Sequence, residues 1–257
     1  MLVKTLKNWL NRFLRMKRIL KKSLQQIAAI FKPEFTPITS GTFDLHELVT
    51  LLGKDDPVIL EIGANDGGHT ALFLELFPKA RIYAFEPDPR ACQKFQERLG
   101  NDPRVVLEKI AISAMDGEID FFMSNSTASE HVPGNWDKSG SIRKPKKHLE
   151  VVPWCIFDQT IRVPTQRLDT WWQKAGVGQI DFIWADVQGA EIDLIQGGQQ
   201  ALAQTRYFYT EYANAELYEG QIPLRDILKL LPNFQLVYRF SNDVLLKNKR
   251  LKYSQAG

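Results

Sequence analysis

The spacing of apolar and polar positions divides the chain into a basic N-terminal segment and a longer region of short strands and helices. From Pro57 onward, short apolar runs such as residues 58–60 and 182–185 alternate with stretches in which apolar residues recur every three or four positions. This alternation is typical of a mainly parallel sheet with crossover helices. The pattern therefore predicts an α/β fold.

The predicted elements follow from these runs and from the turn residues between them. Strands are predicted at 57–62, 80–85, 104–110, 180–185 and 206–211, with extra strands at 117–123 and 160–168. Helices are predicted at 69–77, 89–99, from about Ala190, and at 223–231. Asp88 and Pro89 favour a helix start, and Gly100 favours its end. Residues 234–240 and 244–247, joined by a polar turn, predict a C-terminal antiparallel hairpin.

Residues 1–33 predict a basic amphipathic helix. Their apolar residues fall mostly at three- and four-residue spacings, with nine Lys or Arg and no acidic residue among them. One interpretation is docking on an anionic membrane surface through residues 1–31. The other is packing against the domain or a partner subunit. Residues 34–56 are predicted to form a linker and a lead-in helix.

The charge of the chain lies mainly in that first segment. Taking its nine basic residues from the 33 Lys and Arg leaves 24, against 30 Asp and Glu, a net charge of −6 for the remainder. A mildly acidic domain argues against a nucleic-acid partner, because phosphates require a basic surface.

Composition also bears on the cellular location. The two cysteines, Cys92 and Cys155, are too few for a disulfide framework. A cytoplasmic location is therefore expected, peripheral on the inner membrane face if the N-terminal helix docks there. The apolar runs fall short of the roughly 20 residues of a membrane span, so none is predicted.

Two features of the first two strands predict an adenosine-containing cofactor. Gly63 and Gly67 lie in the turn after the first strand, where a ligand can approach the backbone. Glu86 ends the second strand, where its carboxylate can accept hydrogen bonds from two ribose hydroxyls. NAD and S-adenosylmethionine both satisfy these features.

The glycine spacing favours S-adenosylmethionine. A dinucleotide site uses Gly-x-Gly-x-x-Gly, and here Asn65 occupies the second glycine position. The spacing of Glu61, Gly63 and Gly67 instead resembles motif I of class I methyltransferases, as does the terminal hairpin. This resemblance implies a Rossmann-like methyltransferase domain over residues 57–250, with a polar insertion at about 117–168.

Three segments resemble successive signatures of the FkbM family of methyltransferases. They are residues 61–67, 163–169 and 180–191, of which the third is the most specific. Gln188 stands where the family commonly has Glu. The resemblance implies methylation of an oxygen on a sugar, glycolipid, polyketide or related metabolite, so the expected acceptor is a small molecule or a glycan. The cofactor residues inferred on this basis are Glu61, Gly63, Ala64, Asn65, Gly67, Thr70, Glu86, Pro87, Ala111 and Ile112.

Asp186, at the end of the strand predicted at 180–185, is the leading catalytic candidate. Its carboxylate could take the proton of an attacking hydroxyl. Alternatively, it could bind a divalent metal together with Glu211. Both roles remain open. Glu191 and His69 are further catalytic candidates, although Glu191 could equally stabilise the first turn of its helix.

Two other function classes remain as alternatives. One is an NAD-dependent oxidoreductase with Glu86 on the ribose, disfavoured by Asn65 and by the lack of a Tyr-x-x-x-Lys relay. The other is a non-catalytic membrane-associated binding protein that retains the fold. Residues 124–160 match no motif, and their histidines and the charge run from Arg143 to Lys147 are expected to be solvated. Asp169, in the second signature, could equally be a plain N-cap of the helix that follows.

Overall fold

The structure is a computed structural model that describes Thr39, residues 41–127 and residues 135–251. The predicted N-terminal helix and its membrane docking lie outside the described residues, as does His131. Among the described residues, no helix is both long enough and apolar enough to cross a membrane.

Helices and strands alternate along the described chain. In order they are α1 (Leu45–Leu52), β1 (Val58–Ile62), α2 (Gly68–Leu76), β2 (Arg81–Phe85), α3 (Pro89–Leu99), β3 (Val105–Glu108), β4 (Ala111–Ile112), β5 (Gly117–Ser126), α4 (His148–Val151), β6 (Cys155–Gln166), α5 (Leu168–Ala175), β7 (Ile180–Ala185), α6 (Glu191–Gly197), α7 (Gln199–Ala203), β8 (Thr205–Glu211), α8 (Leu224–Leu230), β9 (Phe234–Arg239) and β10 (Asp243–Asn248).

Seven strands form the main sheet in the order β3-β2-β1-β7-β8-β10-β9. The first five run parallel, and β10 pairs antiparallel with both β8 and β9. This is a Rossmann-like class I methyltransferase fold with a C-terminal antiparallel hairpin, as predicted. β7 is buried at all six positions, which explains its mainly apolar sequence; the exception, Asp181, is paired with Arg206.

Apolar side chains cover both faces of this sheet. Leu60 and Ile183 belong to one buried cluster, and Ile59 and Phe182 belong to a second cluster on the opposite face. Successive strand residues point to opposite faces, so each central strand contributes to both clusters. The carboxyl ends of the strands are thereby held in fixed positions.

The polar insertion forms a second, three-stranded sheet in the order β4-β6-β5. Two strand predictions here were inaccurate. The strand predicted at 160–168 begins at Cys155 and ends at Gln166, because Leu168 already starts α5, and the strand predicted at 117–123 extends to Ser126. In the main sheet, the strand predicted at 104–110 stops at Glu108. A small apolar cluster holds the second sheet together: Ala111, Phe121, Met123 and Val163.

Three polar residues differ from the interpretations considered from the sequence, whereas Lys144, Lys146 and Lys147 of the charge run are exposed, as expected. His148 is buried, with its ring against Phe157 and Tyr218. Arg143 forms a two-pronged ion pair with Asp193, at 2.7 and 2.8 Å. Asp169 does not cap its own helix; its carboxylate accepts hydrogen bonds from the first amides of α7. Each difference arises because the partner lies far away in the sequence.

Candidate active site

The site begins where β1 and β7 end side by side. Ile62 and Ala185 are paired neighbours, and the next residues, Gly63 and Asp186, form the two turns. Gly63 has φ +88°, and a Cβ atom there would lie 1.9 Å from the Asp186 carbonyl oxygen. Only glycine allows this approach. The close contact fixes Asp186 beside the glycine turn.

A cavity of about 490 Å³ opens beyond these strand ends. Nine of the predicted site residues line it: Gly63, Ala64, Asn65, His69, Glu86, Pro87, Ala111, Ile112 and Asp186. The cavity is therefore lined by the glycine turn, by acids at the strand ends and by apolar residues. This is expected of a ligand site at the carboxyl edge of a parallel sheet.

Glu86 is buried in the cavity wall with its carboxylate held by backbone amides. Oε2 accepts a hydrogen bond from the Asn65 N–H and Oε1 accepts one from the Asp88 N–H, both at 2.8 Å. Burial raises the pKa of Glu86 to about 8, despite these two hydrogen bonds. The carboxyl group is therefore rigidly oriented and readily ionised by a ligand that donates hydrogen bonds to it.

Asn65 contributes an acceptor that lacks a protein partner. It adopts φ +46°, a left-handed conformation that is uncommon for residues other than glycine. Its Nδ2 donates to the Asp137 carbonyl at 3.0 Å, while Oδ1 is buried with no hydrogen-bond partner among the described residues. Buried polar atoms are rarely left unpaired, so Oδ1 suits a ligand donor.

Three predicted cofactor residues lie behind the cavity wall instead of lining it. Glu61 and Thr70 are fully buried, and the Thr70 hydroxyl donates a hydrogen bond to Glu61. Burial raises the pKa of Glu61 to about 8. Gly67 packs against Phe95 and precedes α2. These residues support the shape of the turn.

One side of the cavity is an apolar wall. Ala111 and Ile112, the two residues of β4, lie there with Phe85, Ile110 and Phe121. A flat apolar ring system fits such a surface, because burial removes both faces from water. The wall suits the adenine of the cofactor.

The insertion also lines the cavity, through residues 137–142. The Asp137 carboxylate pairs with Lys94 at 2.5 Å, which ties this segment to α3. Ser141 Oγ donates to the Gln188 carbonyl at 2.7 Å, which ties it to the turn after β7. Lys138 and Ile142 also line the cavity. The insertion and the main sheet thus enclose the site together.

Asp186 lies in the cavity lining next to Glu211, at the end of β8. Burial raises the pKa of Asp186 to about 6. The pKa of Glu211 is raised further, by burial and by the negative charge of Asp186. Near neutral pH, Asp186 is therefore the ionised member of the pair and can accept a proton.

The other two catalytic candidates lie in different surroundings. The His69 ring packs at 4.5 Å from the Trp184 ring, and burial lowers its pKa, so its imidazole is neutral at pH 7. Glu191 is buried outside the cavity lining, and its Oε1 accepts a hydrogen bond from the Gly189 N–H at 3.1 Å. Of the two, His69 faces the cavity.

Comparison with known proteins identifies the family. The methyltransferase FkbM domain matches residues 61–240. The chain belongs to the FkbM methyltransferase family.

This membership supports the methyltransferase interpretation over the oxidoreductase and non-catalytic alternatives. The FkbM methyltransferase is 49% identical to 2-O-methyltransferase NoeI of Sinorhizobium fredii over 233 residues, which cover 89% of this chain and 95% of NoeI. It is 23% identical to hexuronic acid methyltransferase AglP of Haloferax volcanii, over 76% of this chain and 70% of AglP. A solved rRNA methylase from Streptococcus thermophilus is 11% identical, with a TM-score of 0.42, over 79% of this chain and 93% of that one.

The predicted metal ligands of this FkbM methyltransferase do not suit a cation. Gln188 directs its Nε2 donor at Asp186 Oδ1 and at Glu211 Oε2, and a metal would have to approach those oxygens. No group of three or more His, Cys, Asp or Glu side chains in the described part of the chain could hold a metal ion. We therefore assign no catalytic step to a metal.

Sequence reasoning missed several residues of the site. Asp137 and Ser141 belong to the insertion, and Tyr218 lies in the loop between β8 and α8. None of them stands in a recognisable motif. The only available signal was Gln188, whose departure from the family pattern marked the turn that Ser141 and Tyr218 contact.

Proposed function

We propose that this FkbM methyltransferase transfers a methyl group from S-adenosylmethionine to a hydroxyl group of a sugar. The observation that carries the proposal is the 49% identity to 2-O-methyltransferase NoeI over nearly the whole of both chains. The second relative, AglP, is a hexuronic acid methyltransferase. A sugar 2-hydroxyl is therefore the first acceptor to test.

The residues of the cavity fit this cofactor. Glu86 would accept hydrogen bonds from the ribose hydroxyls, and Ala111 and Ile112 would cover the adenine. Asn65 Oδ1, which has no hydrogen-bond partner in the described part of the chain, would accept a hydrogen bond from a donor of the cofactor. When bound, S-adenosylmethionine supplies an electrophilic methyl group on a positively charged sulfur.

Asp186 would act as the general base. Its carboxylate lines the cavity, is ionised at neutral pH and is held by the Gln188 amide. An acceptor hydroxyl within hydrogen-bond reach of Asp186 would lose its proton to this carboxylate as the oxygen attacks.

His69 is the second candidate for the proton acceptor. It lines the same cavity and is neutral at pH 7, so it could also take a proton. Its side chain is 46% exposed, whereas Asp186 is partly buried next to the strand ends. We favour Asp186 because its orientation is fixed by neighbouring hydrogen bonds, which is the usual requirement for a base.

The test is a methyl-transfer assay with labelled S-adenosylmethionine and sugars that differ in one free hydroxyl, with the product position located by NMR. We expect label on a sugar oxygen, first at the 2-position. Transfer to other hydroxyl compounds but to no sugar would reject the proposed acceptor class.

A second assay tests the base. Asp186→Asn should lower kcat by about 10²- to 10⁴-fold while cofactor binding persists. Asp120→Asn, an exposed carboxylate on β5, is the matched control and should retain wild-type kcat. Full activity in Asp186→Asn together with a large loss in His69→Gln would assign the proton transfer to His69 instead.

A further inference from the structure

Gln188 occupies a constrained position in the turn after β7. It adopts φ +49°, a left-handed conformation that side-chain-bearing residues rarely take. Its Nε2 lies 2.5 Å from Asp186 Oδ1 and 3.4 Å from Glu211 Oε2. Unusual backbone conformations of this kind persist where the surroundings over-determine them, and they cluster at active sites. The side chain is thus directed at the proposed base.

Tyr218 contacts the other end of the same amide. Its ring is fully buried, and its hydroxyl lies 3.0 Å from Gln188 Oε1 and 2.9 Å from the Ser139 carbonyl oxygen. The hydroxyl has one proton for these two acceptors. Either arrangement places the tyrosine at the amide's oxygen end, opposite the carboxylates.

The charges around Gln188 decide which way its amide points. Glu191 is buried and Asp186 and Glu211 are partly buried nearby, and the negative charge of Asp186 raises the pKa of both neighbours. With Nε2 toward Asp186, the amide donates a charge-assisted hydrogen bond. The flipped amide would place an oxygen against the carboxylate and a donor against Tyr218, which loses that bond. The first orientation is therefore favoured.

We infer that Gln188 and Tyr218 are positioning residues for methyl transfer, with Tyr218 fixing the Gln188 amide and the amide holding the Asp186 carboxylate toward the cavity. This inference rests on the proposed role of Asp186 as base. Gln188 stands where the family commonly has Glu, and its amide supplies a donor that an ionised carboxylate lacks.

The inference predicts a specific pattern of kinetic losses. Tyr218→Phe, which keeps the buried ring, should lower kcat about tenfold with the cofactor Kd within about twofold of wild type. Gln188→Leu should lower kcat by about tenfold to 100-fold. Because Tyr218 acts through Gln188, the double variant should match Gln188→Leu alone. Tyr238→Phe, which removes a tyrosine hydroxyl bonded to Glu47, is the control and should retain wild-type kcat.

An NMR measurement tests the hydrogen-bonded contact between Tyr218 and Gln188 and needs no methyl acceptor. The side-chain amide signals of Gln188, assigned by their loss in Gln188→Leu, should shift in Tyr218→Phe and in Asp186→Asn but not in Tyr238→Phe. Unchanged Gln188 signals in Tyr218→Phe would overturn the inference, and so would wild-type kcat or additive losses in the double variant. Shifted signals in a chain that methylates no sugar would instead reject the proposed function and leave the hydrogen-bonded contact established.

Discussion

Cofactor affinity should depend steeply on pH through Glu86. Without ligand, burial holds the pKa of Glu86 at about 8, so the group is mostly protonated at pH 7. Only the ionised carboxylate can accept hydrogen bonds from two ribose hydroxyls with both oxygens while both backbone amides remain satisfied. Binding must therefore release a proton from Glu86.

The magnitude follows from the ionised fraction. With a pKa of about 8, roughly 1% of Glu86 is ionised at pH 6 and about half at pH 8. The Kd should therefore fall by about 50-fold between pH 6 and pH 8, and by less than about twofold above pH 8. Raising the pH strengthens binding because the charged form is the one that binds.

Isothermal titration with S-adenosylhomocysteine, which keeps the ribose and lacks the reactive methyl, measures this dependence. The heat in buffers of different ionisation enthalpy reports the proton released, close to one at pH 7. Glu86→Gln should bind about 100-fold more weakly at pH 8.5, since two charge-assisted hydrogen bonds contribute about 3 kcal/mol. The Kd of Glu86→Gln should also change less with pH than the Kd of the wild type.

Exposed Glu75→Gln on α2 is the control and should follow the wild-type profile. Two results would refute the reasoning. One is a wild-type Kd that is equal at pH 6 and pH 8. The other is an identical pH profile for Glu86→Gln, which would place the titration elsewhere, for example at Glu61.

Three further predictions concern stability. The free protein should have a higher Tm at pH 5.5 than at pH 8, as measured by calorimetry. Buried acids such as Glu61 and Glu86 have folded-state pKa values of about 8, above their ordinary value, so stability is lost as the pH rises through that range. Equal Tm values at the two pH values would contradict this prediction. Gly63→Ala should destabilise the fold by more than about 4 kcal/mol in urea unfolding, because the added Cβ would overlap the Asp186 carbonyl. The control Gly178→Ala, which has open space around the added Cβ, should change stability by less than about 1 kcal/mol. Asp169→Ala should cost about 1–3 kcal/mol in the same assay because two α7 amides lose their acceptor, and an unchanged midpoint would show that water replaces it.

The main sheet could be predicted from sequence because its strands are buried on both faces. The six residues of β7 are all buried, and four consecutive apolar residues, 182–185, end at Asp186. Gly63 and Glu86 could be predicted as a pair because their spacing reflects one strand-helix-strand unit. These signals are local.

The remainder of the site depends on contacts between distant segments. Asp137 meets Asn65, and Tyr218 meets Gln188, across 72 and 30 positions of sequence. The insertion has neither helical nor strand periodicity around Asp137, so nothing local places it over the cavity. His148 and Asp169 were misjudged for the same reason.

The seam between β1 and β7 also has a consequence for the time course of folding. Ile62 and its partner Ala185 are 123 positions apart, so at about 5–20 residues per second a ribosome needs on the order of ten seconds to deliver the second strand after the first. Contacts of such long sequence separation form slowly. Gly63 and Asp186 meet only when this seam closes. Cofactor binding by a nascent or refolding chain should therefore appear late, and it can serve as a sensor of completed assembly at the centre of the sheet.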